Sequence, residues 1–318
     1  MLYKIENDCL LVEISTIGAT ITKFIDKKTN TDIVLGFNDE KDYCPEKSPY
    51  FGTTVARNAN RIGNATFKLN DVTYNLVANN GPNNLHSNKG TSFKDFNLID
   101  KKDNMLKFDI NMKDGEDGFP GDLHLIVTYE LINNKLKLSY EGLSNKDTIF
   151  NVTNHSYFNL DGGINDVLNH EIKIYTDEVA INDENGMASD KVLKVNDTSF
   201  DFREFTVLSK NFDKRHPNLA SGGIDHNYVF ENLDFKKMIS VKNSKLCLTV
   251  SSDLPNVQVY TACTFGEIKG KNDYKKFYGI AIEPQFYPNS INYSNYLKPI
   301  IKANTKTCHS IEYLVESY

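Results

Sequence analysis

Apolar and polar positions alternate along most of this chain, in short runs broken by turn residues. Ala65, Phe67 and Leu69 alternate with polar neighbours, and Val72, Tyr74 and Leu76 do so again after Asn70-Asp71. Two period-two runs around a short Asn/Asp pair predict a β-hairpin. Leu123, Leu125, Val127 and Tyr129 alternate with Asp122, His124, Ile126 and Thr128; Asn133-Asn134 then turns the chain into Leu136, Leu138 and Tyr140, a second hairpin. Leu10 to Ile14 begins an extended ladder that Ile17 to Ile21 continues past Gly18, and Ile33 to Leu35 adds another early strand. The last such run is Ile311 to Val315. Residues 38–50, with Asp39, Glu40, Lys41, Asp42, Pro45 and Pro49, predict a polar loop or a short helical turn. The Asn-, Gly- and Pro-rich residues 78–92 predict a loop. Helical periodicity is nearly absent, and neither a composition break nor a fixed repeat divides the chain. The expected fold is all-β, one large antiparallel β-sandwich in a single domain over residues 1–318.

Five segments carry more polar groups than such strands need. The central one is Asn151 to Leu160, closed by Asp161-Gly162-Gly163. Read as one strand, it puts Thr153, His155, Tyr157 and Asn159 on one face and Val152, Asn154, Ser156 and Phe158 on the other. So many hydrogen-bonding groups must meet water or a polar ligand, and a polyhydroxylated ligand would suit them. The second segment, Gly52 to Gly63, holds Arg57, Asn58, Asn60 and Arg61 just before a hairpin, at a sheet edge. The third is the loop Asn79-Asn80-Gly81-Pro82-Asn83-Asn84-Leu85-His86. In the fourth, Gly222-Gly223 precedes Asp225 and His226, which open a strand with an apolar tail. In the fifth, Tyr278, Ile280 and Ile282 form one face and Gly279, Ala281, Glu283 and Gln285 the other. Its small residues make room for a ligand beside a carboxylate, and a glutamate at the end of an apolar strand needs a partner or a proton.

Composition narrows the function. Of 318 residues, 40% are hydrophobic and 25% charged, ordinary for a soluble globular protein. A net charge of -6 offers no nucleic-acid footprint. No apolar run approaches the ~20 residues of a membrane span, and the start, Met1 to Asp8, has no signal-peptide core. Cys9, Cys44, Cys247, Cys263 and Cys308 are scattered without Cys-x-x-Cys spacing, so free thiols in a cytoplasmic protein are expected. No histidine pair at i, i+4 and no His/Cys cluster has metal spacing. Phosphate-loop and nucleophile-elbow patterns are missing too.

Six stretches, taken together and in order, resemble the aldose 1-epimerase (galactose mutarotase) family. They are Asn58 to Ile62, Asn80 to His86, Asp117 to Asp122, Thr153 to Leu160, Asp225 to Asn227 and Glu283 to Gln285. The resemblance implies a β-sandwich of the galactose mutarotase-like type, with a shallow sugar cleft across one sheet. It implies interconversion of the α and β anomers of free aldohexoses such as glucose and galactose, without metal or cofactor, in a monomer or homodimer. It makes Glu283 the base at the C1 hydroxyl, His155 the acid at the ring oxygen and His86 its helper. Asp225, Asn60, Arg61 and Gln258 become substrate contacts. The chain departs from the family where Ala262-Cys263 follows Tyr260-Thr261, a place where many relatives carry Gly-Asn. After the glutamate, Pro284 to Pro288 differs in detail from the commoner Thr-Gln-x-x-Pro.

Ring opening needs one proton removed and one delivered, and a carboxylate and an imidazole on opposite sides of the sugar supply both. Two alternatives stand beside this reading. A hexose-6-phosphate 1-epimerase of the same superfamily would place extra basic residues at the cleft, for which Arg57 and Arg61 are available. A non-catalytic sugar-binding protein on the same fold would lack the acid or the base.

Overall fold

The computed structural model describes residues 1–183, 186–212 and 222–318. Every named strand pair among them is antiparallel, as the alternating runs require. A nine-stranded sheet runs in the spatial order Asn97–Lys102, Met105–Met112, Leu123–Ile132, Lys135–Ser144, Thr307–Ser317, Leu246–Ser252, Lys236–Lys242, Glu171–Ile174 and Thr206–Val207. A six-stranded sheet runs Tyr157–Phe158, Ile280–Gln285, Asn256–Tyr260, Asp225–Val229, Glu178–Asn182 and Ala188–Lys194. Leu2–Glu6, Leu10–Ser15, Thr20–Asp26 and Thr31–Asp32 form a four-stranded sheet.

One apolar core joins the three sheets. Leu125, Val127 and Tyr129 of the large sheet, Val257, Val259, Ile280 and Ile282 of the six-stranded sheet, and Val12, Ile14 and Phe24 of the small one belong to the same buried cluster. Phe158 meets Tyr313 at a ring-centroid distance of 5.2 Å across the gap between the two larger sheets. Burial of these side chains is the main force holding the layers together.

The hairpins follow the sequence. Thr66–Leu69 pairs with Val72–Asn75, and Asn70 and Asp71 between them have φ of 51° and 63°. Positive φ at both turn residues matches the right-handed strand twist, and Asn and Asp tolerate it. Leu123–Ile132 pairs with Lys135–Ser144 around Asn133, φ 54°. Residues 40–42 make the short helical turn.

Two expectations change. Asn151 to Leu160 is not one strand. Thr153–Asn154 pairs with Thr54–Val55, whereas Tyr157–Phe158 joins the six-stranded sheet, and the chain leaves the ladder at His155-Ser156. The segment is buried throughout, and most of its polar groups are satisfied by protein rather than by a ligand face. Asn151 bonds Asn58 and Ala59, Asn154 bonds Gly52 and Ser156, and Asn159 bonds Asn165 and Tyr278. These amides lock the crossover between sheets, as buried polar groups must when no water reaches them. The small residues before Glu283 serve packing instead of a ligand. A Cβ on Gly279 would lie 2.8 Å from Leu35 Cδ1 and 3.0 Å from Tyr157 Cβ.

Candidate active site

The inner face of Ile280–Gln285 packs into the core through Ile280 and Ile282, so Glu283 points outward. Register builds the rest of that outer face. Gln258 lies opposite both Asn227 and Glu283, and Tyr260 lies opposite both Asp225 and Ala281. Ala281 in turn lies opposite Tyr157. A second wall comes from the short pair Arg61–Ile62 and Asn84–Leu85, which delivers Asn60, Arg61 and His86. Pro49-Tyr50 and the loop carrying Thr264, Phe265, Gly266 and Ile268 close a cleft of about 420 Å³. The cleft brings together all seven residues named from the sequence: Asn60, Arg61, His86, His155, Asp225, Gln258 and Glu283. That volume suits a small polar ligand.

His155 is clamped from several directions. Its N–H donates to Thr53 O at 2.9 Å and its carbonyl accepts from Gly52 N–H at 3.0 Å. Its ring lies between Tyr50, at 5.7 Å and 19°, and Tyr157, at 5.0 Å and 26°. His86 stands edge-on to it at 5.3 Å. Nε2 of His155 lies 3.5 Å from Oε1 of Glu283. The imidazole and carboxylate therefore sit side by side, not on opposite faces of a ligand, because His155 lies just before the strand that pairs with Ile280–Gln285.

Burial governs the ionisation of this group. It holds His155 down to about 4, and it pushes Glu283 well above the usual carboxylate range, with the nearby Asp225 adding to the push and Arg61 opposing it. Burial also holds His86 well below the ordinary imidazole value and raises Asp225, whose charge Arg61 and Gln258 partly restore. Gln258 Nε2 donates to Asp225 Oδ1 at 2.7 Å.

Asn60 acts first on His86. The Asn60 N–H donates to His86 Nδ1 at 3.1 Å, and the His86 N–H donates to Asn60 O at 3.2 Å. The neutral His86 ring therefore carries its proton on Nε2. Three successive left-handed residues, His86, Ser87 and Asn88 with φ of 51°, 50° and 59°, turn the chain there. Ser87 Oγ, accepting from Asn58 N–H at 2.8 Å, anchors that strained turn.

His86, His155 and Glu283 each present one ligand-type atom, all within 4.8 Å of one another. Chain spacing could not show this grouping, because the three come from separate segments. With Nδ1 of His86 held by Asn60, the Nε2 of its neutral ring is a hydrogen-bond donor, so the set suits proton handling better than metal coordination.

Arg57 does not belong to the cleft. It is 2% exposed and donates to Pro120 O at 2.7 Å, Lys113 O at 2.9 Å and Thr148 Oγ1 at 3.4 Å. Among the described residues lining the cleft, Arg61 is the one lysine or arginine. Sequence reasoning missed the aromatic wall of Tyr50, Tyr260 and Phe265. Only Tyr157 gave a signal, two residues after His155 on the same face.

Fold and cleft together define a β-sandwich whose outer sheet face gathers buried titratable groups around a cleft sized for a small polar ligand. The chain belongs to the aldose 1-epimerase family, whose sequence profile matches residues 1–314. It is 34% identical over 318 residues to a galactose mutarotase of Sus scrofa, covering 97% of this chain and 92% of that protein. It is 32% identical over 272 residues to an aldose 1-epimerase of Haemophilus influenzae, covering 83% of this chain and 79% of that one. Its fold is similar to that of an aldose epimerase homologue from C. elegans, with a TM-score of 0.91 and 26% identity, covering 100% of this chain and 99% of that one.

Proposed function

We propose that this protein is an aldose 1-epimerase that interconverts the α and β anomers of free aldohexoses, with His155 and Glu283 as its proton-transfer pair. The observation that carries the assignment of roles is the 3.5 Å approach of His155 Nε2 to Glu283 Oε1 inside the cleft. O1 and O5 of a pyranose are bonded to the same carbon, so two groups side by side can serve both at once.

The pair reacts from its imidazolium and carboxylate form, reached by moving one proton from Glu283 to His155. Glu283 takes the proton of the C1 hydroxyl, the O1 lone pair becomes the carbonyl π bond, and the C1–O5 bond breaks. The electron pair of that bond goes to O5, which takes the His155 proton. An open-chain aldehyde now faces a neutral imidazole and a protonated carboxyl. Rotation about C1–C2 presents the other carbonyl face. Closure returns the Glu283 proton to O1 and the O5 proton to His155. Burial favours the neutral form of the pair, which is the form that accompanies the open chain.

His86 donates from Nε2 toward the ring oxygen and its neighbours, while Asp225, Gln258, Asn60 and Arg61 hold hydroxyls. Each positioned acid or base contributes typically ~10²–10⁴ in rate, about 3–5 kcal/mol of barrier. Free sugars are favoured over phosphorylated ones because Arg57 is buried elsewhere. A cytoplasmic site of action is supported by five unpaired cysteines. No described helix is long and apolar enough to cross a membrane.

Polarimetry of freshly dissolved α-D-glucose and α-D-galactose tests this reading. We expect faster mutarotation of at least one of them, unchanged by chelator. Acceleration confined to phosphorylated hexoses would overturn it.

A further inference from the structure

We propose that Asn80, which does not itself line the cleft, is a positioning residue that sets the plane of the Arg61 guanidinium. The inference rests on the epimerase reading above. Arg61 Nε donates to Asn80 Oδ1 at 2.9 Å. Among the described residues, no other hydrogen bond fixes that side chain. A guanidinium is a rigid planar fork, so one bond at Nε orients all its remaining N–H groups. With Nε held, the outer edge stays free for substrate. The charge stays near Asp225 and Glu283, whose ionisation it favours.

Asn80 can do this because its loop is fastened on both sides. Asn79 replaces a strand for Leu85, donating through Nδ2 to Leu85 O at 2.9 Å and accepting from Leu85 N–H at 2.7 Å. The N–H groups of Asn79 and Asn80 both donate to Asn83 O at 3.1 Å. Asn83 Oδ1 accepts from Asn64 N–H at 3.1 Å, and Asn84 Nδ2 donates to Val77 O at 2.8 Å. Leu85 is itself the cross-strand partner of Arg61. The acceptor on Asn80 is therefore fixed relative to the strand that carries the arginine. The asparagine-rich loop has two tasks: it delivers His86 and it holds Arg61.

The test is a mutant cycle read by polarimetry beside thermal melts. Asn80→Ala should lower kcat/KM about 10- to 100-fold, the scale of a misplaced contact group, with little change in melting. Asn80→Asp, which keeps the oxygen acceptor, should recover most of that loss. In an Arg61→Met background, which has no Nε, Asn80→Ala should cost less than about two-fold further. A merely structural loop residue would show its full cost in both backgrounds, and that result would overturn the proposal. So would Asn80→Ala at wild-type kcat/KM, or equal losses for Asn80→Ala and Asn80→Asp. In all three cases an active wild type leaves the epimerase reading standing. A wild type inactive on every aldohexose overturns both.

Discussion

His155 Nε2 and Glu283 Oε1 lie 3.5 Å apart. Among the described residues, the other heteroatom of each side chain, His155 Nδ1 and Glu283 Oε2, is buried without a hydrogen-bond partner. In the proposed mechanism the two act as a pair that holds one proton between them. In that mechanism the same pair gives a proton and takes one in each half of the ring-opening cycle.

Glu283→Gln keeps size and hydrogen bonding but cannot accept a proton. We expect kcat to fall by ~10²–10⁴ with sugar binding weakened much less. His155→Asn should do the same, and the double variant should be little worse than the poorer single one. Removing a carboxyl that burial disfavours should also raise stability, by about 0.5–2 kcal/mol. A folded Glu283→Gln protein with near wild-type kcat would end the assignment of Glu283 as base.

The pH profile of kcat/KM should be a broad bell. Its acid limb falls where the pair gains a second proton. Burial holds His155 down to about 4, so that limb lies below the ordinary imidazole value. Its alkaline limb falls where the pair loses its last proton, which the raised Glu283 postpones. Activity is thus retained as pH drops through the ordinary histidine range and is lost only below it. An acid limb at the ordinary value near 6.5 would show that His155 is not desolvated in the working enzyme.

Arg57→Met should act on stability alone. It leaves the Pro120 carbonyl buried without its donor, at about 1–3 kcal/mol, and removes the donor to the Lys113 carbonyl as well. Denaturant melts should register that loss, while the surviving folded protein keeps its specific activity. A large loss of kcat/KM at unchanged stability would instead place Arg57 in substrate recognition.

Ala262 has a φ of 49°. Left-handed backbone costs a residue with a Cβ roughly 1–2 kcal/mol, partly offset by the entropy glycine loses on folding. Ala262→Gly should therefore stabilise the protein by up to about 1 kcal/mol, seen as a raised melting temperature. A lowered melting temperature would show that the Ala262 methyl, buried with Tyr157 and Tyr274, contributes more than the strain costs.

How much of the molecule was legible in the chain follows from the range of the forces involved. Strand alternation, the Asn70-Asp71 and Asn133 turns and the outward face of Glu283 are local, decided within a few residues by side-chain direction and turn chemistry. They determined an all-β fold and most hairpins. The motif residues His86, His155, Asp225 and Glu283 could likewise be named from the sequence, since each falls in a polar segment of an otherwise alternating chain and in a stretch that resembles the family.

What only the tertiary structure decided depends on separate segments meeting. The break at His155-Ser156 arises because Thr153–Asn154 and Tyr157–Phe158 pair with different partners, Thr54–Val55 and Ile280–Gln285. The sorting of two nearby arginines is equally non-local. Arg57 is buried on the carbonyls of Lys113 and Pro120, while Arg61 reaches Asn80 at the cleft. The contact of His155 with Glu283, and the burial that shifts both, come from residues 128 positions apart meeting in one cleft. Alternation along a chain says which way a side chain points. It does not say what lies opposite, because register across a sheet is set by packing of the whole core.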